Sequence, residues 1–190
     1  ERHIAIILRE VLEGICYLHS QPLPIMHRDM KSDNVLLGLD GRIKITDFGF
    51  ACQLTPEKRS RNEVIGTACW MPPEVIKGQE YATKVDIWSF GILAQELVDG
   101  EPPYYTDPAR QIMYSIATKG RGNFKNPSKL SPEFKNFVKQ CTITDYRTRP
   151  RAGDLLKHPF LQKHADGVVE EITPLITAMI ATNTIKFESF

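Results

Sequence analysis

Residues 84–98, KVDIWSFGILAQELV, are too apolar on every side to be a surface helix and carry an acidic residue, Asp86, at their start. A helix of that kind has to be surrounded by other elements, so the chain must fold as a bundle packed around it. With 190 residues there is enough length for one domain with a core of its own. The rest of the composition is that of an ordinary globular chain, 42% hydrophobic and 25% charged. No segment reaches the apolar length needed to cross a membrane. The formal net charge of +1 gives a nucleic-acid partner no global support.

The other elements follow from periodicity and punctuation. Over residues 2–20, Ile4, Ile7, Leu8, Val11, Leu12, Ile15 and Leu18 recur at helical spacing until Pro22 and Pro24 stop them. Val35–Leu37 and Ile43–Ile45 are short apolar runs around Asp40-Gly41, which predicts a small hairpin. Residues 49–70 are polar and rich in breakers, and predict a long loop. Ser131-Pro132 reads as a helix N-cap followed by proline at the first helical position, opening a helix through Phe134, Phe137, Val138 and Cys141. Further helices are expected near 108–118, 151–157 and 173–182. The expected class is mainly α with one small β-hairpin.

One stretch does not fit a purely structural reading. IMHRDMKSDNVLL, residues 25–37, sets His27, Arg28, Asp29, Lys31, Asp33 and Asn34 at the mouth of an apolar strand. Charge held near a core has to pair or to coordinate something. Eighteen residues after Asp29 comes Asp47-Phe48-Gly49, with the hairpin between, so the fold can bring Asn34 and Asp47 together beside Asp29. A few hard oxygen ligands that leave room for water and phosphate suit a magnesium–nucleotide site. Lys31 adds a mobile positive charge within reach. The competing reading makes these aspartates turn formers.

The order of HRDMKSDN, DFG, GTACWMPPEV, DIWSFG and RTRP resembles that of eukaryotic protein kinases over about residues 2–162. Lysine two places after the aspartate of HRD, with Thr67 in GT, resembles the serine/threonine branch. DFGFACQLTPEKRS, GEPPYY and SIATKG resemble the PAK family, kinases switched by small Rho-type GTPases. What the resemblance implies is the large C-terminal lobe of the kinase fold, spanning 1–190. Its catalytic loop would be 25–37, its activation segment 47–74, its buried helix 84–98 and its C-terminal helices 108–182.

The same resemblance implies the roles. Asp29 accepts or orients the substrate hydroxyl, Lys31 neutralises the transferring phosphate, and Thr67 fixes the substrate loop against Asp29. Asn34 and Asp47 hold Mg2+, with Leu36 and Lys31 on the ATP side. Asp86 supports the backbone of HRD, Glu74 and Arg149 form a buried ion pair, and His27 and Phe48 play an apolar role. Asp33 and Glu96 meet beside the substrate groove and receive an arginine, so protein substrates with basic residues near the acceptor are expected. Where PAK kinases carry a regulatory threonine this chain has Glu63, whose expected partner is Arg28; Ser60 is a possible secondary phosphosite. The alternative for Glu63 is a solvated loop residue.

Three further expectations complete the reading. PPE stands for the common APE, and TACW for TPYW, which bears on substrate preference. The glycine-rich loop, the phosphate-gripping lysine and its helix glutamate are not among these residues, so the chain alone is expected to be inactive and to be part of something longer. A GTPase would then act through a region outside this sequence, and a non-catalytic binding or scaffold lobe is the rival class. Cys16, Cys52, Cys69 and Cys141 lie far apart with no CxxC pair, which fits a reducing, cytoplasmic setting; Cys69, in the substrate loop, could be accessible.

Overall fold

The helix that constrains everything else is α3, Lys84–Asp99, and in the computed structural model it is buried continuously from Val85 to Gln95. The structure describes residues 1–38, 40–165, 167, 169–178 and 181. Around α3 lie α1 (Arg2–His19), α4 (Ala109–Lys119), α5 (Pro132–Cys141), and the short α6 (Ala152–Leu155) and α7 (Pro159–His164). A further one-turn helix, α2, spans Pro73–Ile76.

Helix α1 buries Ala5, Leu8, Val11, Leu12 and Ile15, the stripe its sequence spacing dictates. That stripe meets Ile87, Phe90, Leu93 and Ala94 of α3 in one core with Phe134, Phe137, Val138 and Phe160. The phenylalanines interlock edge to face, Phe90 on Phe137 at 5.9 Å and Phe134 on Phe160 at 5.1 Å between centroids. Helices α3 and α5 touch at Gly91, where a Cβ would lie 2.6 Å from Cys141 Cβ, so no larger residue fits this crossing. Ser131 caps α5 as its sequence predicts, its Oγ accepting from the Phe134 N–H at 3.0 Å.

The predicted hairpin forms, with β2 (Val35–Leu37) antiparallel to β3 (Ile43–Ile45) and Leu36 opposite Lys44. The loop expected over 49–70 is more ordered than its polarity suggests. Within it β4 (Cys52–Gln53) pairs antiparallel with β1 (Ile25–Met26), and residues 68–70 form a 3₁₀ turn. Two-residue strands carry no alternation signal; tertiary placement, not propensity, makes them. The expected 151–157 helix is a single turn, α6, followed by a separate helix started by Pro159. Residues 173–178 are helical, with Ile172 and Ile176 packed on Ile6, so the C-terminal apolar stripe docks; the expectation at 179, 180 and 182 lies outside the described residues. Among the described residues no helix is long and apolar enough to cross a membrane.

Candidate active site

The site sits where the two small sheets meet the start of α3. Asp86, fully buried, is its foundation. Its Oδ1 accepts the Arg28 N–H at 2.8 Å, and its Oδ2 accepts the His27 N–H at 2.9 Å and lies 2.8 Å from His19 Nε2. Burial pushes the Asp86 carboxyl up, but the His19 ring and these two N–H donors outweigh it and hold its pKa below the ordinary value. The carboxylate locks Arg28 into a left-handed backbone at φ +68°, a conformation a non-glycine residue keeps only when its surroundings enforce it. That turn aims Asp29 inward.

Four donors converge on Asp29. Its Oδ1 accepts from Thr67 Oγ1 at 2.6 Å and from the Thr67 N–H at 3.0 Å. Its Oδ2 lies 3.0 Å from Lys31 Nζ and 3.3 Å from Asn34 Nδ2. Lys31 also donates to Thr67 Oγ1 at 2.9 Å, closing a ring of three side chains. Burial raises the Asp29 pKa, but the bonds from Thr67 and Lys31 and the Lys31 charge more than offset it, and the group stays below the ordinary carboxylate range. Asp29 is therefore ionised at neutral pH. Gly66 brings Thr67 this close. At φ +122° it presses against the chain, and a Cβ there would lie 2.8 Å from the Arg28 carbonyl oxygen.

Asn34 and Asp47 are brought together by the hairpin and the backbone beyond it, the Thr46 N–H donating to the Asn34 carbonyl at 3.0 Å. Asn34 is buried and donates its amide nitrogen to the Asp29 carbonyl at 2.8 Å. No donor reaches its Oδ1 among the described residues. Asp47 is exposed, left-handed at φ +60°, and takes the Gly49 N–H on one oxygen at 3.1 Å. An amide oxygen and a carboxylate oxygen are thus left to bind outward. This hard, sparse donor set fits Mg2+ shared with phosphate. Leu36, 52% exposed on the first hairpin strand, and Phe48, 47% exposed, leave an apolar surface beside it. His27 is buried, Nε2 donating to the Thr46 carbonyl at 2.9 Å and Nδ1 accepting the Asp29 N–H at 3.3 Å, with Phe48 edge-on at 5.0 Å. Its partners hold it in the core as a spacer.

A protein kinase domain family model matches residues 1–161 of this arrangement. The chain belongs to the protein kinase family. Its relatives are serine/threonine-protein kinases. Among them are pakB of Dictyostelium discoideum, 48% identical over 90% of this chain, and ste20 of Emericella nidulans, 47% identical over 94%. PAK 1 of Mus musculus is 45% identical over 94%. The kinase chain spans 20%, 20% and 32% of the length of these three proteins.

Farther from Asp29, the kinase chain gathers two carboxylates and a cluster around Arg28 and Glu63. Glu96 is not a free acid. Ser32 Oγ donates to its Oε1 at 2.5 Å and Trp70 Nε1 to its Oε2 at 3.1 Å. Burial raises its pKa, and the nearby charge of the exposed Asp33 adds to the rise. Arg28 turns the other way, Nε donating to the Phe50 carbonyl at 2.6 Å and Nη1 to Tyr81 Oη at 3.2 Å, with Glu63 Oε2 3.6 Å away. Lys58 lies 3.7 Å from the other Glu63 oxygen, and Tyr81 Oη donates to the Glu63 carbonyl at 2.9 Å. Ser60 is half-buried on the same segment. Glu74 and Arg149 form a buried bidentate pair at 2.7 and 3.0 Å. Cys69, which its place in the substrate loop left open to be accessible, is buried with Trp70 and Trp88, and burial pushes its thiol up to about 11.

Sequence reasoning missed four contributors: His19, Ser32, Trp70 and Tyr81. Ser32 and Trp70 lie inside the motifs already singled out. His19 and Tyr81 sit in unremarkable stretches, and only the packed fold brings them to Asp86 and Arg28.

Proposed function

We propose that these residues are the large C-terminal lobe of a PAK-type serine/threonine protein kinase, which transfers the γ-phosphoryl group of ATP to protein hydroxyls. The observation that carries this reading is the closed ring of Asp29, Lys31 and Thr67 beside the outward-facing oxygens of Asn34 and Asp47. Phosphoryl transfer asks a protein for positioning and positive charge rather than covalent chemistry. An incoming hydroxyl donates to Asp29, which orients its oxygen at phosphorus. The new O–P bond forms, the bond to the β-phosphate bridging oxygen breaks, ADP leaves, and the hydroxyl proton passes to Asp29. A carboxylate held well ionised is a weak base before the reaction, so its main contribution is orientation and late proton acceptance. Lys31, 3.0 Å from Asp29, places its charge where the transferring phosphate would pass. Asn34 Oδ1 and Asp47 would hold Mg2+, which supplies charge neutralisation on the phosphates. Asp33 and Glu96 would receive a basic substrate side chain, Glu96 through an oxygen shared with Ser32 or Trp70. A small Rho-type GTPase as activator rests on the PAK likeness alone.

By itself the 190-residue chain should transfer little phosphate, because the exposed Leu36 and Phe48 mark one wall of a nucleotide site whose other wall is not in this sequence. A serine/threonine peptide array tests both parts. The full-length protein should label serine and threonine peptides, favouring basic residues upstream of the acceptor, and the 190-residue chain should label none. Failure of the full-length protein to label would refute the kinase reading. Labelling by the short chain would refute the half-site.

Glu63 is the proposed stand-in for a regulatory phosphothreonine. Lys58 and Arg28 lie on either side of it; its own N–H, followed by these two charges, overcomes the small effect of burial and lowers its pKa. Its side chain is 48% exposed, and Arg28 is already anchored on Phe50 and Tyr81. The pair is worth less than about 1 kcal/mol for that reason. Glu63→Ala should therefore lower kinase activity only about threefold to fivefold, the range that energy allows, and speed proteolysis of the 52–66 segment. Activity and protease resistance both unchanged would remove Glu63 from regulation.

A further inference from the structure

A cavity of about 650 Å³ opens between the end of α1, the start of α3 and the segment leading into α6. Pro24, Leu54 and Val85 give its lining an apolar part, and Lys84, Arg147 and Arg151 a basic part. Thr83, Tyr146 and two carboxylates, Glu74 and Asp154, also line it. Lys84 and Arg151 take no part in the phosphotransfer site described above.

The basic part is poorly compensated. Arg149, just behind it, is fully engaged by Glu74. Of the two carboxylates near Lys84, Asp154 accepts the Arg151 N–H at 3.0 Å and Asp145 accepts the Arg147 N–H at 3.1 Å. Arg147 reaches Asp145 only loosely, at 3.9 Å and largely in solvent. Among the described residues no carboxylate lies within salt-bridge distance of Lys84 or Arg151; the Lys84 ammonium donates to the Arg147 carbonyl at 2.8 Å. Burial, followed by the positive charges of Arg151 and Arg149, pushes the Lys84 pKa down, so like charges are being held together here.

Arg151 is also the wrong residue for its place. It occupies the N-cap of α6, where an acceptor side chain would satisfy a free N–H; a guanidinium has no acceptor and stands at the positive end of the helix.

We propose that this cavity binds a phosphomonoester carried on an apolar or aromatic body, the dianion between Lys84 and Arg151 and the body against Pro24, Leu54 and Val85. A tetrahedral dianion accepts from both cations at once. The volume far exceeds one phosphate, and Pro24, Leu54 and Val85 add apolar lining, so inorganic phosphate alone leaves most of the site unfilled.

The test is calorimetric titration of the full-length protein in EDTA, which disables the metal-dependent nucleotide site. Phenyl phosphate should bind saturably, at least tenfold tighter than inorganic phosphate, and benzyl alcohol should give no binding heat. A short phosphoserine peptide, titrated in parallel, separates a protein-borne phosphate from a small molecule. Arg151→Ser restores an acceptor to the N-cap, and Lys84→Met keeps the apolar stem, so neither should lower the unfolding midpoint or the basal rate of phosphate transfer. Each should weaken phenyl phosphate at least tenfold. Absence of saturable binding by both phosphate esters overturns the proposal, as does binding that both variants leave unchanged.

Discussion

Arg149→Met is expected to cost the fold about 3–5 kcal/mol, the penalty for leaving one member of a buried ion pair without its partner. Both side chains are effectively sealed from water, at 0% and 2% exposure, so Glu74 could not recover its lost partner from solvent. Arg149 also donates to the Ile143 carbonyl at 2.9 Å and to the Lys84 carbonyl at 2.8 Å, and lies 5.2 Å over the Trp88 ring. It therefore joins α2, the start of α3 and the turn before α6 through one side chain. Methionine fills much of the volume and satisfies none of these acceptors. Since whole domains are stable by only about 5–15 kcal/mol, such a loss should show as a large drop in the urea midpoint. Glu74→Leu placed in the same chain removes the orphaned carboxylate and should recover much of the loss, because the pair itself is worth little over a well-packed apolar replacement. A single variant less than about 1 kcal/mol below wild type, or a double variant no better than the single, would show that the pair is not the clamp described here.

How much of this could be read in advance depended on whether the signal was local. The α1 stripe, the Ser131 cap and the hairpin around Asp40-Gly41 formed where their residues indicate, because each is specified within a few positions. The pairing of β1 with β4 was invisible. It joins Ile25 to Gln53 and Met26 to Cys52 across a long stretch of chain, and nothing in Cys52–Gln53 marks a strand. At the site, spacing sufficed to place Asn34 near Asp47 and Asp29, since the hairpin between them allows little choice. The partners that tune those groups were not legible, because a lone histidine or tyrosine carries no signal until the fold positions it. His19 on Asp86 and Tyr81 between Arg28 and Glu63 are both of this kind. Glu96 shows the reverse case. Its residue type suggested a waiting carboxylate, whereas two neighbours already hold both of its oxygens.

The central claim rests on Asp29, and its replacement by asparagine should have the largest effect on chemistry. The amide keeps the shape and can still accept from Thr67 through its oxygen. Its nitrogen then faces Lys31 and the Asn34 amide, donors that the carboxylate had satisfied, so a small loss of stability accompanies the change. Far larger, on the mechanism proposed above, is the loss of the group that would orient the nucleophile and accept its proton, about 10²-fold or more in rate. Mg2+–ATP affinity should stay close to wild type, because Asn34 and Asp47 are untouched. The deciding measurement is γ-phosphate incorporation into a serine/threonine peptide by the full-length protein and its Asp29→Asn variant, at matched folding and ATP occupancy. A drop of at least about 10²-fold is predicted; a variant within about threefold of wild type would contradict the assignment of Asp29 to the transfer step.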